Sequence, residues 1–192
     1  MNTLIFATAN ENKLKEMRVI LPTYEIIGLK ELGIFEEIPE TGMTLHENAL
    51  LKATYLFEKT NMPVLSEDTG LEVDVLNGAP GVDTAIYASI DRDPDKNINK
   101  LLTEMKDYKN RNAQFRTVIA YVSQTEVRYF EGIVKGCIAI EKAGDSGFGY
   151  DPVFIPDGYS ETFAQLPSSV KSTISHRARA MKSMIAVIST LK

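Results

Sequence analysis

The sequence predicts an α/β protein built on a mixed sheet. Three observations carry that expectation. Short β-prone runs alternate with segments whose apolar residues recur at helical spacing. Cap and turn residues stand where one pattern gives way to the next. Residues 115–122 and 127–134 are two longer apolar-rich runs separated by a short polar stretch that contains Gln124 and Thr125. They predict an antiparallel hairpin, so the sheet is not a uniform succession of parallel βαβ units.

Residues 3–7 open the pattern as a short strand that stops at Asn10. Asn10 has the chemistry of a helix N-cap, and Leu14, Met17, Ile20 and Leu21 follow on one helical face. Thr44 with Glu47 fits a capping box ahead of Ala49, Leu50, Ala53, Leu56 and Phe57. Asn61 and Pro63 end that helix. Val64 and Leu65 read as a short buried strand. Leu71, Val73 and Val75 alternate with Glu72 and Asp74, which predicts a separate strand with one wet face. Asn77-Gly78 and Pro80-Gly81 are turn signals. After a polar loop, Asn97 is expected to cap a helix carrying Ile98, Leu101, Leu102 and Met105. Residues 144–149 form a glycine-rich loop. A last helix is expected after Ser175, with Ala178, Met181, Met184, Ile185, Ile188 and Leu191 along its apolar stripe. No repeat and no long Pro/Gly/Ser linker interrupts the chain, so residues 1–192 are expected to form one domain.

Composition narrows the function classes. The 192 residues include 44% hydrophobic residues, enough for a sizeable core. Lys+Arg number 21 and Asp+Glu 26, a net charge of −5. Wrapping a nucleic-acid backbone requires clustered Lys and Arg, so no nucleic-acid partner is expected. A small polyanion would need a local basic pocket or a bridging divalent cation. No apolar run approaches bilayer length, and the N-terminus lacks the basic and apolar regions of a signal peptide. With one cysteine, Cys137, no intramolecular disulfide can form. A cytoplasmic protein with no membrane partner is the expectation.

Four segments could carry chemistry. Thr8-Ala9-Asn10-Glu11-Asn12-Lys13 lies at a strand-to-helix junction, where free N–H groups and a lysine suit an anion. Its ordinary alternative is a cap beside a surface lysine. Glu67-Asp68-Thr69-Gly70 places carboxylates at a strand end, with Gly70 expected to let the backbone turn sharply. Magnesium is held by one or two carboxylates plus water and phosphate oxygens, so Asp68 is a candidate ligand and Glu40 a second. Both could instead be solvated loop acids. Gly147-Phe148-Gly149-Tyr150-Asp151-Pro152 offers two aromatics that could stack on a planar base or cap the core. Lys171 and Ser175-His176-Arg177 form a local cationic group, although His176 could equally be a packing residue. His46 is read as a surface residue. No G-x-x-x-x-G-K-[ST], no G-x-S-x-G and no paired histidines or cysteines occur. That excludes the P-loop scaffold, the serine nucleophile elbow and a zinc site.

Read together, these segments resemble the inosine triphosphate pyrophosphatase family. Thr8-x-Asn10-x-x-Lys13-x-x-Glu16, Glu40-Thr41-Gly42-x-Thr44 with Glu47-Asn48-Ala49 and Lys52-Ala53, and Asp68-Thr69-Gly70-Leu71 with Gly78-Ala79-Pro80-Gly81-Val82 are similar to its motifs. So are Phe148-Gly149-Tyr150-Asp151-Pro152-x-Phe154, Lys171, and Ser175-His176-Arg177. The matches fall in family order from residue 8 to residue 177. The resemblance implies an elongated mixed β-sheet with flanking helices, two lobes around a central cleft, and a homodimer. It implies hydrolysis of non-standard purine nucleoside triphosphates (ITP, dITP, XTP) to the monophosphate and pyrophosphate, with Mg2+ as cofactor. By the same resemblance, Thr8, Asn10 and Lys13 would hold the triphosphate. Glu40 and Asp68 would bind the metal, and Asp68 would be the general base. Thr69 would contact substrate. Phe148, Gly149, Tyr150 and Asp151 would form part of the nucleotide pocket, and Lys171, His176 and Arg177 would line its base end.

The sequence departs from the family pattern in places. Glu67-Asp68-Thr69-Gly70 stands for Asp-Asp-Ser-Gly, Ile86 for an arginine, and Gln165 for a glutamate. Two other functions stay open at this stage: a pyrophosphatase of modified pyrimidine nucleotides, and a nucleotide sensor without turnover.

Overall fold

The computed structural model describes residues 2–36 and 38–188. The first strand, β1 (Asn2–Phe6), leads into helix α1 (Glu11–Ile20), and strand β2 (Tyr24–Ile27) returns parallel to β1. Helix α2 (Leu45–Thr60) precedes β3 (Val64–Val73), which is parallel to β1 on its other side. Helix α3 (Pro94–Glu104), strands β4 (Asn112–Val122), β5 (Val127–Ile138) and β6 (Phe154–Pro156), and helices α4 (Ser168–Ile174) and α5 (His176–Ile188) complete the order. The six-stranded sheet runs β2-β1-β3-β4-β5-β6, with β6 antiparallel to β5. The α/β mixed sheet predicted from the sequence is the one found.

Several elements form for reasons the sequence displays. At the head of α2 the Thr44 side chain accepts from the Glu47 N–H (3.1 Å), and the Glu47 carboxylate accepts from the Thr44 N–H (3.1 Å). Asn61 closes the helix in the left-handed region at φ 52°. The Lys13 N–H donates to Asn10 Oδ1 (3.3 Å), the expected cap of α1. A turn joins β4 to its neighbour β5, with Ser123 N–H donating to Glu126 O (3.0 Å).

Other expectations need correction. Residues 64–73 form one continuous strand rather than two short ones, so Glu67, Asp68, Thr69 and Gly70 lie inside β3 and Gly70 makes no sharp turn. The strand lies between β1 and β4 in the sheet, and its pairing with β1 runs through Val64 and Leu65. Val75 belongs to a short 3₁₀ turn, Asp74–Leu76, beyond the strand end. The cap of α3 is Asp93, which accepts from the Asp95 and Lys96 N–H groups, with Pro94 at the first helical position. Asn97 is buried one turn further in and bridges Ala85 O (2.8 Å) and the Ala88 N–H (2.7 Å). Cys137 lies within β5. Strands β2 and β6 and helix α4 were not foreseen. On α5 the buried stripe is Ala180, Met181, Met184 and Ile188; Leu191 of the expected stripe lies outside the described residues.

The chain divides into two compact units: Met1–Asp68, Val118–Glu131 and Ala180–Lys192 form the first, Thr69–Thr117 and Gly132–Arg179 the second. The first has its own core, in which Phe6, Met17, Leu65, Ile119, Phe130 and Met184 are buried together. The core of the second centres on Phe115, Phe154 and Phe163, whose rings contact one another at 4.7, 6.4 and 5.3 Å between centroids.

Candidate active site

In the first unit, α2 and β3 bring Asp68 and Glu40 together around Lys52. The buried face of α2 is Leu45, Asn48, Ala49, Lys52, Ala53 and Leu56, a continuous helical stripe. Two of these positions are polar, and a buried polar head requires partners. Lys52 finds them in two carboxylates at once. Its Nζ donates to Glu40 and, at 3.2 Å, to Asp68 Oδ1. Asn48 Oδ1 accepts from the Gly42 N–H (2.7 Å), which fixes the segment just after Glu40. A side chain at position 42 would collide with Glu47 Cβ at 2.6 Å and Asn48 Oδ1 at 2.8 Å, so only glycine fits.

Lys52 and Asp68 are largely enclosed, their side chains 11% and 14% exposed, whereas that of Glu40 is 41% exposed. Burial pushes the Asp68 carboxyl up from its ordinary value. The Lys52 ammonium and the Asn48 side chain oppose the rise, and the charge on Glu40 adds to it. Asp68 Oδ2 is buried with no hydrogen-bond partner. Beside Asp68 on β3, Glu67 is 4% exposed in its side chain and forms an ion pair with Lys13. The Thr8 hydroxyl accepts from the Asn10 N–H (3.2 Å), so Thr8, Asn10 and Lys13 form one chain of contacts into the first turn of α1.

These residues fit a divalent cation. One ammonium already sits within hydrogen-bonding reach of both Glu40 and Asp68, so a single small cation can meet both carboxylates. The unpartnered Asp68 oxygen gives it a further donor. Among the described residues, no three His, Cys, Asp or Glu side chains gather as a closed metal cage. Two carboxylates with the remaining positions left to water and phosphate oxygens is the arrangement magnesium prefers.

In the second unit, Thr69 follows Asp68 directly on β3 and shares a hydrogen bond with the buried Thr117 hydroxyl (2.7 Å). The glycine-rich loop holds Phe148 exposed at 74%, while Tyr150 and Asp151 are each 3% exposed. The Tyr150 hydroxyl donates to Thr84 O (3.1 Å), and burial raises its phenol above the ordinary value. Of the two aromatics expected to offer a face, Phe148 alone presents one. Asp151 accepts from the Phe148 N–H (2.7 Å) and pairs with Lys171 on α4, whose ammonium also lies 4.6 Å from the Phe148 ring centroid. Gly147 sits at φ 84°, and any Cβ there would run into the Asp151 side chain. Gly149 is likewise left-handed at φ 59°. Ser175 accepts from the Ala178 N–H (3.2 Å) at the start of α5. The His176 ring is buried and stacked on Phe115 at 4.7 Å. Arg177 follows it, half-buried. His46 pairs with Glu131 at 3.0 Å, away from these groups in sequence and at the surface.

Lys52 and Asn48 fall within a motif that assigns them no task. The available signal was their position: both fall on the apolar stripe of α2, where a polar residue must have a partner. Thr117, fully buried in the middle of β4, carried no comparable signal.

Known proteins resemble this chain along nearly its whole length. The model of the Ham1 family matches residues 4–187. A dITP/XTP pyrophosphatase of Flavobacterium psychrophilum is 48% identical over 183 residues, covering 95% of this chain and 96% of that protein. One of Bacillus subtilis is 43% identical over 189 residues, 96% of each. The Staphylococcus aureus Ham1 protein has a TM-score of 0.96 and 38% identity, covering 100% of both chains. A HAM1 protein from Coxiella burnetii has a TM-score of 0.95 and 34% identity over the same coverage. With its motifs in order, its fold matched along its length and near-full-length relatives well above the level of chance likeness, the chain belongs to the Ham1 family.

Proposed function

We infer that this protein hydrolyses non-standard purine nucleoside triphosphates, ITP, dITP and XTP, to the nucleoside monophosphate and pyrophosphate, and so removes them from the nucleotide pool. Its relatives, dITP/XTP pyrophosphatases at 43–48% identity over nearly the whole chain, support the substrate class. The observation that carries the chemistry is the convergence of Glu40 and Asp68 on one cation position, with one Asp68 oxygen buried and unpartnered.

Glu40 and Asp68 would hold magnesium. Bound there, it would supply positive charge to the phosphate oxygens as the bond to pyrophosphate breaks. Asp68 would accept a proton from the water that attacks the α-phosphorus. Lys13, with Thr8 and Asn10 at the start of α1, would hold the triphosphate, and Thr69 would contact substrate from the next position of β3. The exposed Phe148 face would stack on the base, with Gly149, Tyr150 and Asp151 shaping the loop behind it and Lys171 alongside. His176 would hold its place by stacking on Phe115. Arg177 has donors only, so it would pair with the 6-keto oxygen of hypoxanthine or xanthine and meet the adenine amino group as donor against donor. A buried donor without a partner costs about 1–3 kcal/mol, which gives roughly tenfold to hundredfold rejection of adenine.

The same reading places the enzyme in the cytoplasm as a homodimer. No helix among the described residues is long and apolar enough to cross a membrane. Light scattering on the purified protein measures the assembly. The decisive assay is pyrophosphate release from inosine, xanthosine, guanosine and adenosine triphosphates, with and without magnesium. Metal-dependent turnover of the first two well above the last two is expected. Tight binding without turnover of any of them would replace the enzyme by a sensor.

A further inference from the structure

Lys52 joins the two carboxylates proposed as metal ligands, and the catalytic reading gives it no role. Its ammonium, on the buried stripe of α2, donates to Glu40 and Asp68 together, so the acid pair already has a counter-ion. A dication brought to the same two carboxylates meets a fixed positive charge a few ångströms away. Either the ammonium withdraws or the dication binds against it. Lys52 can withdraw only if another anion accepts it, because an unpaired ammonium on a buried face is unfavourable. A phosphate group is such an anion, and the nucleoside triphosphate carries three of them.

We propose that Lys52 is an internal competitor for the metal position, which keeps free magnesium weakly bound and makes metal binding conditional on a phosphate-bearing ligand that takes over the lysine. This rests on the assignment of Glu40 and Asp68 as metal ligands. Lys52 is in these terms a positioning residue. It acts through the two carboxylates, and its charge rather than its packing carries the effect. The device would spare the cell from holding the enzyme as a metal-loaded form without substrate, and it makes nucleotide and metal bind with positive coupling.

The test measures Mn2+ binding to the full chain without nucleotide, by electron paramagnetic resonance of the free ion, for the wild type, Lys52→Met, Lys52→Arg and Asp68→Asn. Lys52→Met keeps the aliphatic stem and removes the charge, and it should bind Mn2+ about tenfold or more tightly than the wild type. Lys52→Arg keeps the charge and should stay as weak as the wild type. Adding the non-hydrolysable triphosphate analogue should tighten Mn2+ binding to the wild type far more than to Lys52→Met. If Lys52→Met binds Mn2+ no more tightly than the wild type while Asp68→Asn loses binding, the competition is overturned and the metal site stands. If Asp68→Asn binds as the wild type does, the metal assignment itself fails. Should Lys52→Met not fold, Lys52→Gln replaces it, and equal affinity of Lys52→Gln and Lys52→Arg would overturn the proposal.

Discussion

Replacing Lys52 with methionine in the metal-free protein tests the electrostatics of the acid pair directly. The ammonium lies 3.2 Å from Asp68 Oδ1, and both side chains are largely out of water, at 11% and 14% exposure. At an effective dielectric near 20, two unit charges at that distance attract by about 5 kcal/mol. Part of this is offset because methionine, unlike lysine, loses nothing on leaving water. Breaking one side of a buried pair costs about 3 kcal/mol. Glu40 adds less, since its carboxylate is 41% exposed and can be solvated. For a chain of this length about 3 kcal/mol corresponds to a fall in Tm of roughly 6–12 °C. Asp68→Asn should behave differently. The raised Asp68 carboxyl means the fold holds its charge unfavourably on balance, so removing that charge is neutral or stabilising. The double variant should recover much of the loss, with a coupling of about 2 kcal/mol. Urea unfolding in EDTA, followed by circular dichroism, measures all four corners of the cycle. Additivity of the two substitutions within about 0.5 kcal/mol would show that Lys52 and Asp68 do not act as a pair.

The remaining expectations are more local. Asp68→Asn should lower kcat by roughly a hundredfold or more with the substrate still bound, as loss of a general base does; near-wild-type turnover would remove that role. In EDTA the wild type should lose stability relative to Asp68→Asn as pH rises from about 4 through the raised Asp68 value. A group whose folded pKa is raised stabilises the fold in its protonated form, and that contribution disappears on ionisation. Thr44→Ala should cost about 1 kcal/mol of unfolding free energy by removing the cap of α2, measured by urea titration. Gly147→Ala should weaken nucleotide binding in a fluorescence titration, since the new Cβ strikes the Asp151 side chain that also holds Lys171.

Local chemistry made much of this fold readable. Thr44 and Glu47 announce α2 because a capping box is a contact between residues three apart. Apolar spacing revealed α1 and α3 for the same reason. What stayed hidden depends on distant partners. The polar stretch at residues 67–70 reads as a strand end with a turn at Gly70, yet it lies inside β3, a strand that sits between β1 and β4 in the sheet. Lys52 pairs with acids 12 and 16 residues away, and Lys171 with one 20 residues away, separations at which local patterning predicts nothing. Tyr150 and Phe148 are two residues apart in one loop, yet one is core and the other exposed. Only the 3₁₀ turn at Asp151–Val153 and the core beneath it decide which is which.

A net charge of −5 is an awkward starting point for binding a polyanion, and the ion pairs show how the chain reconciles the two. Lys13, Lys52 and Lys171 each have an acidic partner in the folded protein: Glu67, the Glu40–Asp68 pair, and Asp151. Glu67 and Asp151 are almost wholly buried, each 4% exposed in its side chain, so they stay where they are when a ligand arrives. The lysines are the partners that can move, because a four-carbon stem with a compact ammonium can reorient where a buried carboxylate cannot. Under the proposed function, binding a triphosphate would make Lys13 and Lys52 exchange counter-ions rather than fill an already positive pocket. Exchange weakens affinity, since each lysine leaves a good contact for another. Under the proposed function it would also favour selectivity, because a ligand would have to bring enough negative charge to displace Glu67 and the Glu40–Asp68 pair. A nucleoside monophosphate brings less negative charge to that exchange than a triphosphate does. The same pairs that hold the lysines before the reaction can therefore reclaim them after it and favour release of the product.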